Sequence, residues 1–289
     1  TQDFPSYEAM IIGESENVYK AMAKSKLRNF ETALAKRGRV TSLELNPGSF
    51  YAVLFGANEY DLLADLSTPI QDIRDLSQTL RVNLGFHTEI IENPSRRDIL
   101  GKLSEMRKLL GPQDNLLIYF AGHGVLDPDL NMGFWQPVEA EPDIDLDWIP
   151  TDRITRSLRG FSSSNIMVIA DSCYSAAILR GESGFTNSVD DIGSLQGLIE
   201  TKTRIALTSG GLAPVPDNAA GSKNSVFASA LNIVLASASK PITATEVFAK
   251  VRGRVSAINA SLGFDQTPEF SSLLQSGHEG GDFVFVPKE

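Results

Sequence analysis

Cys173 is the single cysteine of a 289-residue chain, and His123 is one of three histidines. Each follows a run of strand-forming residues: "LLIYFA" leads into Gly122-His123-Gly124, and "NIMVIA" leads into Asp171-Ser172-Cys173. A thiol is a poor nucleophile until it becomes thiolate, and a nearby imidazole can take that proton and later deliver it to a leaving amine. The glycines flanking His123 let a substrate backbone approach. The N–H groups of Gly124 and Cys173 are then the candidates to hold the oxyanion of a tetrahedral intermediate, an interaction worth about 3–4 kcal/mol per donor. The plain alternative is a Cys173 packed as a small hydrophobe and a His123 satisfied in a turn. It leaves the strand-end placement of both, the glycines and the polar neighbours Asp171, Ser172 and Ser175 unaccounted for.

Such chemistry needs a scaffold that brings two strand ends to one edge. Continuous apolar runs at 51–57, 88–91, 115–121, 165–170, 204–209 and 282–286 read as strands. Thr68-Pro69 opens a helix whose stripe of Ile70, Ile73, Leu76, Leu80 and Leu84 stops before Gly85. Ser95 with Asp98 reads as a capping box for a helix closed by Gly111-Pro112. Two more helices are expected near 224–238 and 243–262, the latter opened by Thr243 with Glu246. Unbroken rather than alternating apolar strands belong to a sheet covered on both faces. The expected class is α/β, a helix-flanked, largely parallel sheet with its chemistry at the carboxyl ends of the strands. Ahead of it, residues 14–37 carry Val18, Met22, Leu27, Phe30 and Leu34 at helical spacing, and "ELNPGS" connects. This gives an N-terminal helical extension, 1–46, and a main domain, 47–289.

Composition narrows the field. A net charge of −10 repels phosphate backbones, which argues against nucleic acid, and the basic residues between Lys20 and Arg39 read as one solvated helix face. One cysteine rules out an internal disulfide and a multi-cysteine zinc site. No apolar run reaches the about 20 residues that span a bilayer, and no signal peptide is visible, so a cytoplasmic protein away from membranes is expected. The sequence begins at Thr1, which leaves the native N-terminus open.

"YFAGHG" followed 50 residues later by "IADSCYSA" resembles the caspase-like cysteine peptidases (family C14), closer to metacaspases and bacterial caspase-like proteins than to animal caspases. The likeness runs over about residues 48–289, with "LTSGG", "NSVFASAL", "QTPEF" and "GHEGGDFVFVP" in support. It implies a six-stranded caspase-like sheet, a His123–Cys173 dyad, and an endopeptidase acting on protein or peptide substrates with no cofactor in its chemistry. Animal caspases carry glutamine two residues before the cysteine and cut after aspartate. Asp171 stands there in this chain. By resemblance to metacaspases it lies in the pocket for the P1 residue, joined by Asp72 of "STPIQD", and selects arginine or lysine. Asp217 is a third candidate, equally readable as a turn residue; Asp72 and Asp171 also read as helix-dipole partner and turn cap. Bacterial relatives often carry an acidic residue where this chain has Ala213, a departure.

The large part of the domain would run to about 180 and the small part from about 204. Between them "ILRGESGFTNSVDDIGSLQGLIETK" holds the place of a caspase's cleavable linker, with Arg180, Lys202 and Arg204 as self-cleavage candidates; a surface loop explains it equally. Many metacaspases need calcium, but Asp190 and Asp191 are too few for its six to eight oxygens, so the metal is left unassigned. The rival reading is a caspase-fold interaction module with an idle dyad, whose helical extension recruits a partner.

Overall fold

The computed structural model describes residues 45–172, 178, 192–210, 222–262 and 266–288. The expected helix at 14–37 therefore lies outside the described residues, which all belong to one unit, Leu45–Glu289.

Six strands form the main sheet: β1 (Phe50–Gly56), β2 (His87–Glu92), β3 (Asn115–Ala121), β7 (Asn165–Asp171), β8 (Thr203–Thr208) and β10 (Glu269–Ser272), in the order β10-β8-β7-β3-β1-β2. All pairings are parallel except β8 with β10. Parallel neighbours need crossovers, and the amphipathic helices supply them. α1 (Pro69–Leu84), α5 (Val226–Ala236) and α6 (Ala244–Leu262) cover one face; α2 (Arg96–Leu109) and α3 (Thr151–Leu158) cover the other.

Side chains alternate between two cores as the period of a strand requires. Leu117 and Tyr119 of β3 and Met167 and Ile169 of β7 join Ile73, Leu76 and Phe227. Leu116, Ile118 and Phe120 join Ile99, Leu103 and Ile154 instead. This assigns Asp171 and its β3 neighbours at odd positions to the α1/α5 side. The caps hold as read: Ser95 and Asp98 bond reciprocally, Thr243 and Glu246 likewise, and Gly85 ends α1 at φ 69°.

Two expectations are corrected. "DFVFV" does not close the main sheet: β11 (Val284–Phe285) pairs with β9 (Ile242–Thr243) in a separate ribbon. The sixth strand is β10, whose "EFSS" is short, lies at the sheet edge and carries little apolar signal. In the segment read as a cleavable linker or a surface loop, residues 192–200 form helix α4 (Ile192–Glu200), which buries Leu195 and Ile199 against Val284. Between β3 and β7 lies a small antiparallel sheet of β4 (Gly124–Asp127), β5 (Met132–Trp135) and β6 (Ile149–Pro150). Trp135 stacks on Phe120 at 4.5 Å and ties it to the main core, a contact worth about 1 kcal/mol beyond burial.

Candidate active site

β3 and β7 are adjacent, with Asn115 opposite Asn165 and Ala121 opposite Asp171. That register offset of 50 equals the separation of His123 from Cys173 in the chain. His123 follows β3 by two residues. Cys173 follows β7 by two residues and lies outside the described residues, as do Asp217, Arg180, Asp190 and Asp191. The ladder runs on past the strand ends: the Gly122 N–H donates to the Asp171 carbonyl at 3.3 Å.

His123 is half-buried and fixed from several sides. Its backbone N–H donates to the Tyr60 hydroxyl (2.8 Å), and its carbonyl accepts from Gln136 N–H (3.0 Å). The imidazole packs against the Tyr60 ring at 4.7 Å between centroids. Nε2 lies 2.7 Å from the carbonyl oxygen of Ala64. A carbonyl only accepts, so Nε2 carries the hydrogen, and in the neutral ring Nδ1 keeps the lone pair. A base is thus oriented by a backbone group in the role that a carboxylate plays in other triads.

The loop supplying Tyr60 and Ala64 is itself pinned. Asn93, in the left-handed region at φ 47°, accepts from the N–H groups of Asn58 and Glu59 (2.9 and 3.1 Å), and Asn58 accepts from Ile70 N–H at the head of α1 (2.9 Å). A Cβ on Gly122 would meet the Tyr60 hydroxyl at 2.7 Å and the Phe120 ring at 3.1 Å. Gly122→Ala must therefore move the buried Tyr60 and release the His123 N–H. Its expected cost is about 1–3 kcal/mol of stability, with an additional loss of activity at temperatures where the variant stays folded. Thermal unfolding and peptide kinetics on the same preparation separate the two losses.

A second cluster sits on the α1/α5 side of the same edge. Asp72 and Asp171 are both buried. Ser225 bridges them: its N–H donates to Asp72 Oδ1 (3.1 Å), and its hydroxyl donates to Asp171 Oδ2 (2.6 Å). The Tyr119 hydroxyl donates to the same Asp171 oxygen at 3.3 Å. Burial, then the Asp171 charge, push the Asp72 carboxyl up to about 8. Burial and the two carboxylates raise the Tyr119 phenol well above its ordinary value, which keeps it a donor. Asp72 lies in the first turn of α1, yet it is turned into this cluster. Ser209 continues the β7–β8 register through its N–H to the Ala170 carbonyl (3.0 Å), beside Asp171. Its buried Oγ has no hydrogen-bond partner among the described residues.

The self-cleavage candidates separate. Arg204 is a correction: it is fully buried on β8, and its guanidinium donates to the carbonyls of Leu158, Ser163, Ser164 and Thr203. A bond in that position offers no protease an extended, accessible substrate. Lys202 is half-buried just before β8, its carbonyl taken by Glu279 N–H (2.9 Å). Gly124 begins β4 opposite Trp135. Among the described residues no group of three or more His, Cys, Asp or Glu side chains could hold a metal ion, and no helix is long and apolar enough to cross a membrane.

The arrangement is a strand-end imidazole beside a buried acid pair. The sequence model of the caspase domain, peptidase family C14, matches residues 49–276. The chain belongs to the caspase-domain family. That family is one of cysteine peptidases. The caspase domain here shares its fold with caspase-1 from Spodoptera frugiperda, at 18% identity and a TM-score of 0.56, covering 85% of this chain and 93% of that one. A protein from Geobacter sulfurreducens is similar at 16% identity and a TM-score of 0.57, with 84% and 100% covered. A search of curated proteins returned no significant match.

Tyr60, the Ala64 carbonyl, Ser209 and Ser225 are the parts of the site that sequence reasoning missed. "NEYDLLAD" offers only a polar loop after a strand, and Ser225 stands 153 residues from Asp72. The cap before "VFASAL" was the one local signal for Ser225.

Proposed function

We propose that this caspase domain is a cysteine endopeptidase that cleaves after arginine or lysine. Cys173 sulfur attacks the scissile carbonyl carbon while His123 Nδ1 takes the thiol proton. The Gly124 and Cys173 N–H groups stabilise the oxyanion. His123 then passes the proton to the leaving amine as the C–N bond breaks, leaving a thioester. Water, deprotonated by the same Nδ1, attacks the thioester and restores the thiol. The Nε2–Ala64 hydrogen bond supports this order, because it fixes the ring and leaves Nδ1 as the base.

The observation that carries the choice of substrate is the meeting of Asp72 and Asp171 on Ser225. Two buried carboxylates raise each other's energy when ionised, and a cationic side chain between them relieves both. A neutral or acidic P1 residue forgoes that relief, at about 2–5 kcal/mol. Ser209 Oγ adds an acceptor beside Asp171. Self-processing after Arg180 or Lys202 fits the same preference.

Peptides differing only at P1 test the reading. Turnover after arginine and lysine is expected to exceed turnover after aspartate or leucine by at least about 30-fold, and to vanish in Cys173→Ala. Equal or better turnover after aspartate would discard the basic preference. No turnover of any peptide would favour a caspase-fold interaction module.

A further inference from the structure

Two of the groups that hold His123, the Tyr60 hydroxyl and the Ala64 carbonyl, come from one loop, residues 57–67, which contains no helix or strand. Such backbone has no ladder of its own, so its place is set by the hydrogen bonds at its root and tip. The root leaves β1 with the Ala57 N–H donating to the Ala121 carbonyl (3.0 Å), and the N–H groups of Asn58 and Glu59 that follow both go to Asn93 Oδ1. Within the loop, Tyr60 N–H donates to Asp65 Oδ1 (2.9 Å) and Leu66 N–H to the Asn58 carbonyl (2.9 Å). The tip is tied outward by Asp61 N–H, which donates to the Val138 carbonyl (2.9 Å). That outer segment returns to the turn after β2: Val138 N–H donates to the Pro94 carbonyl (3.3 Å), and Glu139 Oε1 accepts the Arg96 N–H (2.8 Å). Root and tip therefore both rest on residues 93–96, the root directly and the tip through residues 138–139. Asn93 stands in the left-handed region at φ 47°, which asparagine enters more readily than most residues. Its own N–H donates to the Gly56 carbonyl (2.8 Å), so one side-chain oxygen fastens the loop to the end of the main sheet.

We propose that Asn93 is a positioning residue for the catalytic base. By holding Asn58 and Glu59 it sets where the Tyr60 hydroxyl and the Ala64 carbonyl meet His123, and with them the direction of Nδ1. Asn93 acts through the loop, 30 residues before His123 in the chain and from the end of a different strand. The inference rests on the reading of His123 as the base.

Two substitutions separate the acceptor from the backbone conformation. Asn93→Gly adopts the positive φ without strain and has no acceptor, whereas Asn93→Asp tolerates that φ and keeps one. Steady-state kinetics on an arginyl peptide are compared at a temperature where thermal unfolding shows every variant folded. Asn93→Gly is expected to lose between about 10- and 100-fold in kcat with KM within about twofold of wild type, as a displacement of about 1 Å at the base implies. Asn93→Asp should return kcat to within about threefold of wild type, because its carboxylate accepts the same two N–H groups. The double variant decides between positioning and general damage. Tyr60→Phe removes a contact that Asn93 positions, so adding it to Asn93→Gly should cost no more than about a further twofold. Two independent structural injuries would multiply instead. Wild-type kcat in Asn93→Gly, no recovery in Asn93→Asp, or losses that multiply in the double variant overturns this proposal, and His123 remains the base as long as His123→Ala is inactive. Activity retained by His123→Ala overturns both.

Discussion

His123→Ala is expected to lower kcat/KM on an arginyl peptide by about 10³-fold or more, with Tm within a few degrees of wild type. The imidazole contributes twice, raising the thiolate fraction and delivering the proton to the amine, and general acid–base catalysis alone is worth about 10²–10⁴. Its fold cost is small because the ring is half-buried and its main partners are one carbonyl and one aromatic face. Steady-state kinetics beside thermal unfolding check both halves. Tyr60→Phe keeps the ring contact and loses the acceptor for the His123 N–H, so it should cost about tenfold or less, as one lost hydrogen bond implies. Retention of a tenth of the activity by His123→Ala would remove the imidazole from the mechanism.

Asp171→Asn should cut cleavage after arginine by about 10²-fold, the penalty of an uncompensated cation in a buried pocket, and leave cleavage after an uncharged P1 residue unchanged or improved. It should also move the pH profile. Burial and the Asp171 charge both hold the Asp72 carboxyl up at about 8; removing the second cause lowers it. Cleavage after arginine by Asp171→Asn, weaker throughout, then reaches its plateau at lower pH than in wild type. A profile that stayed where it is in wild type would mean that the two carboxylates do not sense each other. P1 panels run from pH 5.5 to 9.5 check both effects.

How much of this was legible in the sequence follows from where the determinants lie. β1, β3, β7 and β8 are continuous apolar runs, and their covering helices have local caps, so the parallel sheet could be read. The register of 50 between β3 and β7 matched the His–Cys spacing because both strands have the same length and end two residues before the functional group. The edge strand β10 was lost because four residues at an edge need little apolar signal, while "DFVFV" drew the assignment by having more than it needed. Arg204 illustrates the other limit. Beside a segment rich in Gly and Ser it looks like a cleavage point, whereas the fold places it among four carbonyls that only the three-dimensional arrangement brings together. Ser225 escaped notice for the same reason: its partners belong to α1 and β7, far away in the chain.

Intact-mass and peptide-mass measurement after exposure to a peptidyl-arginyl chloromethyl ketone decides whether His123 makes the thiol nucleophilic next to a pocket for a cation. One adduct, mapped to Cys173, is expected in the wild type, with slow labelling in His123→Ala and weak labelling by the matching aspartyl reagent. An unmodified Cys173 in folded wild-type protein, or equal labelling by the arginyl and aspartyl reagents, would contradict it.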